Sequence, residues 1–285
     1  MPSINALKQR RNVVGNMKQA MKAMNLVATA KLRKTREVWE NIAVFTESVD
    51  RIMLNAAQNP QTTESIYVKQ HEATHKRTGY IVLSSDRGKC GSYNINICKA
   101  VMEHASSNSK NALFLPIGTK GMDFFTSQSR NIHRFLGGMP EKPTYDEAEA
   151  KGSLVLNEFR EEIDELYIAY TQYHTVLNLE PTIKPILPIS LRFINEQQDP
   201  PEMEYDPDPD SFLAYMVPMY LNAQIYGAML EAVLCEQAAR MVATDTAVNN
   251  AQELIEKLTL QFNRQRQSII TQEITEIVSG ASALT

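Results

Sequence analysis

Apolar residues recur every seven positions at both ends of this chain. Near the start, Leu7, Val14, Met21, Ala28, Thr35, Ile42 and Val49 form one series. Three residues after each come Arg10, Met17, Met24, Lys31, Val38, Phe45 and Ile52. Most are apolar, and together they predict a helix with a seam for a partner helix. Near the end, Leu234, Met241, Val248, Ile255, Phe262 and Ile269 repeat the spacing, with Ala251 and Leu258 on the same stripe. Neither glycine nor proline occurs from Asn16 to Asn59 or from Ala228 to Ser279. Two long helices therefore flank the middle of the chain. Each is the partner the other needs. Since the chain must fold a domain between them and return, the pair is expected to be an antiparallel, left-handed coiled coil. A helix of about 50 residues spans about 75 Å, too long for one small core, so a projecting rod is expected.

The middle alternates between the two periods. "GYIVLSS" (Gly79 to Ser85), "NALFLPIG" (Asn111 to Gly118) and "NIHRFLG" (Asn131 to Gly137) read as strands. "YNINICKAVMEHAS", "MDFFTSQS" and "TYDEAEAKGSLVLNEFREE" read as helices between and after them. "ELYIAYTQYH" and "TIKPILPISLRF" read as longer strands in a hairpin. The order predicts a Rossmann-like α/β domain with a mostly parallel sheet and one added antiparallel hairpin. The expected division is a coiled-coil helix over 1–58, the α/β domain over 76–196, an acidic proline-rich connector over 197–211 and the second coiled-coil helix over 212–280. Asp210 or Ser211 is the expected N-cap of the returning helix, and Pro218 is expected to kink it or mark its true start.

Composition narrows the function. The chain has 285 residues and a formal net charge of −4. No apolar run has the length of a membrane span, and "MPSINALKQRRN" lacks the apolar core of a secretory signal. Its basic character runs unbroken into the first helix, unlike a transit peptide. Three cysteines, Cys90, Cys98 and Cys235, form no CxxC pair and fit reduced thiols in a cytosolic compartment.

Little in the middle points to catalysis. "LSSDRGKCGSYN" and "GTKGMDFF" lack both GxGxxG and the GxxxxGK[ST] phosphate loop, so they read as tight turns. His71 and His75 have the i, i+4 spacing of metal ligands but sit in a polar connector without cysteine. His104, His133 and His174 are scattered, and no HExxH, nucleophile elbow or triad is present. No catalytic residue, cofactor or metal site is expected.

The first helix is different. Lys8, Arg10, Arg11, Lys18, Lys22, Lys31, Arg33, Lys34 and Arg36 all precede the first acid, Glu37. A solvated helix face is the plain reading, and nucleic acid or an anionic membrane the next. No aromatic residue interleaves before Trp39, so base stacking has no platform. A uniformly positive helix that keeps an apolar stripe suits an acidic protein socket. Met17, Met21 and Met24 either pack the seam or supply an adaptable contact surface.

Three stretches are more specific. "KAMNLVATAKLRK", "LSSDRGKCGSYNINI" and "EQAARMVAT…RQRQSIITQEITEIVSGASA", in that order, resemble the gamma subunit of F-type ATP synthase, and the resemblance covers essentially the whole chain. It implies the central shaft of a rotary motor, non-catalytic in itself. Implied partners are the alpha and beta subunits of the hexameric ring, the epsilon subunit and the c ring, with no nucleic acid and no membrane insertion. The implied location is peripheral, on the cytoplasmic face of a bacterial plasma membrane, or the matrix side if mitochondrial.

The matching positions imply partner contacts at Lys22, Met24, Lys31, Arg33, Lys34, Arg36 and, in the loop after the first strand, Arg87. Near the end they imply Arg240, Arg266, Gln267, Thr271, Gln272 and Glu273. Lys89 departs from the family's usual leucine. The chain also lacks the cysteine-bearing insertion of plastid forms, so thiol control is not expected. The rival reading is a static coiled-coil adaptor whose α/β domain binds a ligand.

Overall fold

A computed structural model describes residues 3–58, 62, 65–68, 77–108, 111–189, 205 and 208–282. Among them the elements run α1 (Ile4–Gln58), β1 (Arg77–Leu83), α2 (Tyr93–Asn108), β2 (Asn111–Ile117), α3 (Thr119–Ser127), α4 (Tyr145–Glu161), β3 (Glu165–Thr175), β4 (Asn178–Leu187) and α5 (Pro209–Ser282). His71, His75 and most of the acidic connector lie outside the described residues.

The chain divides into two compact units. One comprises residues 29–240 and the other residues 1–28 with 241–285.

In the larger unit the sheet order is β2-β1-β3-β4. β1 pairs in parallel with β2 and β3, and β3 pairs antiparallel with β4. This is the mostly parallel α/β sheet expected, but of the hairpin only β4 is antiparallel to its neighbour in the sheet, since β3 continues the parallel set. Alternation along β1 builds both faces. Tyr80 and Val82 pack with Ile97, Val101, Phe114 and Phe125 toward α2 and α3. Ile81 and Leu83 pack with Met53, Val155, Phe159 and Leu221 toward α1, α4 and α5. A parallel strand covered on both faces needs such a continuous apolar run. Two glycines make room for close neighbours, a backbone carbonyl at one and a side chain at the other. Gly118 has φ 99°, and a Cβ there would run into the Ser84 carbonyl. A Cβ on Gly152 would run into Asn222 of α5.

The segment read as a third strand, 131–137, is not one. It forms an isolated parallel bridge between Phe114 and Ile132. Phe114 N–H donates to Asn131 and His133 N–H to Phe114, but the next donor in the ladder would be residue 116. Pro116 has no N–H, so the ladder stops and the register slips to Leu136 N–H on the Pro116 carbonyl.

Helix ends follow local chemistry. Ser3 Oγ accepts from Ala6 N–H at the start of α1. Thr144 and Glu147 form a capping box at α4. The α5 cap is neither Asp210 nor Ser211. Asp208 accepts from Ser211 N–H at 2.9 Å and from its hydroxyl at 2.8 Å, leaving Pro209 at the first helical position, where its missing N–H costs nothing. Pro218 therefore lies inside α5 and does not mark its start.

The seam also differs from a strict heptad. Leu7, Val14, Ala28 and Val49 are buried as expected. The positions three residues on are not: Met17 is 55% exposed, and Val38, Phe45 and Ile52 are exposed too. Burial falls four residues on instead, at Leu32 after Ala28 and at Met53 after Val49. The buried row follows the i, i+4 ridge of the helix, the ridge used when helices pack on globular cores.

In the smaller unit α1 and α5 are antiparallel. Asn25 meets Met241 and Thr244, Lys18 meets Gln252, and the Arg11 guanidinium lies 5.5 Å from the Phe262 ring centre. Leu7, Val14 and Leu258 are buried among Ala251, Ile255 and Phe262. Ile269, expected on the seam, is exposed. Each step toward the start of α1 is a step outward along α5, and α1 begins at Ile4, so α1 has run out by that level.

Candidate functional site

The loop after β1 is built from its own polar side chains. Ser84 Oγ accepts from Gly121 N–H at 2.8 Å, and Ser85 N–H donates to Asn94 Oδ1 at 2.9 Å. Asp86 ties three segments together. Its carboxylate accepts from Thr119 N–H at 2.8 Å and Met139 N–H at 3.1 Å. The loop then turns through Lys89 at φ 63° and Gly91 at φ 60°. Lys89 stands in a left-handed conformation that lacks glycine's freedom.

This loop gathers three of the expected contact residues. Arg87 pairs with Glu141 at 2.8 Å, and Lys31 of α1 pairs with the same carboxylate at 2.7 Å. Arg240 of α5 donates to the Gly88 carbonyl and pairs with Glu236 one helical turn before it. Lys31, Arg87 and Arg240 are thus partly committed within the chain. The hydrogen bond and charge of Lys31, aided by Arg87 and Arg240, hold the Glu141 carboxyl below the usual carboxylate range. Burial pushes the Glu236 carboxyl up, against the pull of Arg240.

Arg33, Lys34 and Arg36 form a second group on α1. All three are exposed. Arg33 reaches Glu37 at 3.8 Å, and Arg36 pairs with Glu40 at 2.8 Å while its guanidinium lies 5.9 Å from the Tyr173 ring centre. Such exposed pairs contribute about 0–1 kcal/mol each, so the charges are free to engage a partner.

The other expected residues belong to the smaller unit. Lys22 is exposed and Met24 half-buried. Arg266, Gln267, Thr271, Gln272 and Glu273 are all exposed on α5. They lie beyond Phe262, the last α5 residue packed with the buried seam of α1. The same stretch exposes Ile270, Ile274, Ile277 and Val278, with Ile277 72% exposed. An apolar row of this kind on a single helix marks a contact surface. The sequence reading missed these four residues, although the series ending at Ile269 pointed into the same stretch.

Glu141 and Glu236 were also missed. Glu236 was legible as the i−4 partner of Arg240. Glu141 had no local signal. Among the described residues, no group of three or more His, Cys, Asp or Glu side chains is placed to hold a metal ion.

Comparison with known proteins decides the family. The family model described as ATP synthase matches residues 3–284. The ATP synthase gamma chain of Staphylococcus epidermidis is 35% identical over 291 residues, covering 100% of both chains. This chain belongs to the ATP synthase gamma chain family. The gamma chain of Brevibacillus brevis is 36% identical, covering 94% of each chain. The Acetobacterium woodii relative, an ATP synthase gamma chain described as sodium ion specific, is 34% identical and covers 99% of each. The gamma-chain fold extends to more distant proteins. A chain of the Euglena gracilis mitochondrial ATP synthase superposes with TM-score 0.71 at 18% identity, covering 99% of this chain and 94% of that one. A chain of the Tetrahymena thermophila mitochondrial ATP synthase central stalk and c ring gives 0.64 at 21% identity, covering 80% of this chain and 99% of that one. As a gamma chain, the protein is one subunit of an ATP synthase complex.

Proposed function

We propose that this gamma chain is the central rotor shaft of its ATP synthase. Ion flow turns the c ring, the shaft turns with it, and its asymmetric surface drives the three catalytic beta subunits through different nucleotide affinities. Run in reverse, ATP hydrolysis turns the shaft and pumps ions. The observation that carries the reading is the family match over residues 3–284, which includes both long helices and the α/β domain.

In this reading the helices of residues 1–58 and 212–280 form the shaft within the ring of alpha and beta subunits. Residues 76–196 form the domain that sits on the c ring beside epsilon. The exposed charges of Lys22, Arg33, Lys34 and Arg36 meet acidic loops of the beta subunits in turn. Weak exposed pairs suit a rotor, because no single angle is held deeply. Lys31, Arg87 and Arg240 serve the same surface while bracing the loop after β1. Arg266, Gln267, Thr271, Gln272 and Glu273 meet alpha and beta loops inside the ring, with Met24 as an adaptable apolar contact. The chain itself carries no catalytic residue. It lies peripherally on the cytoplasmic face of the plasma membrane, or on the matrix side in a mitochondrion. Among the described residues no helix is long and apolar enough to cross a membrane.

The proposed driving ion is the proton. The Acetobacterium relative is described as sodium ion specific, so the ion needs its own test. ATP-driven acidification of inverted vesicles without sodium supports the proton, and a strict need for sodium overturns it.

The experiment for the shaft itself is a tagged pull-down from mildly solubilised native membranes, with mass spectrometry and an ATPase assay. Recovery of alpha, beta, epsilon and c subunits with ATPase activity is expected. A clean inactive chain, or other partners, would favour a static adaptor.

A further inference from the structure

A cavity of about 330 Å³ opens between α1, β3, β4 and α5, entirely within residues 29–240. That is the low end of ligand-site volumes, which run roughly 300–1,000 Å³. Trp39 and Tyr170 supply aromatic wall, and Glu47, Asp50, Lys184 and Glu231 supply charge. Three carboxylates face one ammonium group.

Glu231 is the unusual member. It is 9% exposed, and among the described residues its carboxylate accepts from the Tyr173 N–H at 2.8 Å and the Trp39 indole N–H, with a weaker charge interaction from His174. Both donors are neutral. Among the described residues no lysine or arginine pairs with it, and the nearby cations are engaged elsewhere. Lys184 donates to Asp50 at 2.6 Å and Gln224 at 3.0 Å, Arg36 pairs with Glu40, and His174 with Glu180 at 3.1 Å. A buried carboxylate whose hydrogen-bond donors are neutral, and whose one charged neighbour, His174, contributes least, is unfavourable unless a further cation reaches it. Burial accordingly pushes its carboxyl up from the ordinary value. Here the open space lies directly beside it, with an indole alongside that favours a cation at its face.

We propose that this cavity binds a small organic ammonium ion, with its charge against Glu231 and its apolar body against Trp39 and Tyr170. The ion supplies the missing counter-charge, and the aromatic walls discriminate for an organic ion over a hydrated metal cation. This inference does not depend on the rotor reading, and its test uses the chain alone.

Trp39 is the chain's single tryptophan, so its emission reads the cavity directly. The full chain is titrated with butylammonium and with tetraethylammonium, and butanol serves as the neutral control. A saturable change in Trp39 emission is expected with the ammonium ions and none with butanol. Glu231→Gln keeps one acceptor oxygen, for the Tyr173 N–H, but removes the charge, and should weaken binding about ten-fold or more. Ala43 lines the cavity and is exposed, so Ala43→Phe should fill the space without disturbing the core and abolish binding. Should Glu231→Gln fail to fold, Ala43→Phe and the rim variant Glu47→Gln decide, the latter with a smaller loss. The absence of a saturable response, an equal response to butanol, or ammonium binding that survives Ala43→Phe would overturn the proposal.

Discussion

The side-chain amide of Asn25 on α1 donates to the main-chain carbonyl of Met241 on α5 at 2.8 Å. The same amide reaches Thr244 Oγ1 at 3.2 Å, and Thr244 is buried. A buried polar pair in a helix seam sets register, because any slip leaves buried polar groups without partners. Asn25→Ala should destabilise the helix pair of residues 3–28 and 241–282 by about 1–2 kcal/mol. Amide hydrogen exchange along residues 241–262 is the measure. Unchanged protection there would mean that the apolar contacts alone hold the register.

Leu258 and Ile274 test where the helix pair ends. Leu258 is 3% exposed against Leu7 and Val14, whereas Ile274 is 56% exposed. Leu258→Ala should cost about 2–3 kcal/mol through lost burial and a residual cavity. Ile274→Ala should stay within about 0.5 kcal/mol. Thermal melting of the isolated chain separates the two. Equal losses would place a partner on the outer part of α5 within the chain itself.

Two buried carboxylates should pull stability in opposite directions with pH. Burial raises the Glu158 carboxyl, but His133 at 2.5 Å and Arg134 at 2.6 Å outweigh it and leave it lowered. Its contribution is present above the ordinary carboxylate range near about pH 4.3 and is lost as pH falls through the lower folded value. Burial raises the Glu231 carboxyl. Its contribution is greatest below that range and is lost as pH rises through the raised folded value. Glu158→Gln should therefore destabilise at neutral pH and Glu231→Gln should stabilise there, both effects fading near about pH 4. Denaturant midpoints at the two pH values check this. A loss of stability in Glu231→Gln at neutral pH would contradict it.

Charge reversal of Arg33, Lys34 and Arg36 together should leave the fold intact, since each is exposed. It should weaken the coupling of ATP hydrolysis to ion pumping in inverted vesicles. Unchanged coupling would remove this patch from the contact surface.

Glu141→Gln should release both Lys31 and Arg87. Because these pairs are exposed, stability should change by no more than about 1 kcal/mol. The loop after β1 should nevertheless exchange its amides faster, and proteolysis near Arg87 should rise. No change in either would show that Asp86, bonded to Thr119 and Met139, is sufficient to hold the loop.

The sequence by itself determined most of the elements, the segment 131–137 excepted. Absence of glycine and proline marks both long helices, short continuous apolar runs mark β1 and β2, and the acid-rich first turn of Asp146 and Glu147 marks the start of α4, all through forces that act over a few residues. Family membership was equally legible, because it rests on ordered stretches such as the one ending "ITQEITEIVSGA". Only the tertiary structure decided which apolar positions are buried. Leu32 and Met53 lie inside while Met17, Val38 and Ile52 stay outside, because α1 meets its neighbours along an i, i+4 ridge. Only the structure brought Glu141 to Lys31, 110 positions away in the chain, or set the neutral donors of Tyr173 and Trp39 around Glu231. Local patterns report the hydrogen bonding and solvation of nearby residues. The pairing of distant side chains depends on how whole elements pack, and no short window of sequence contains that.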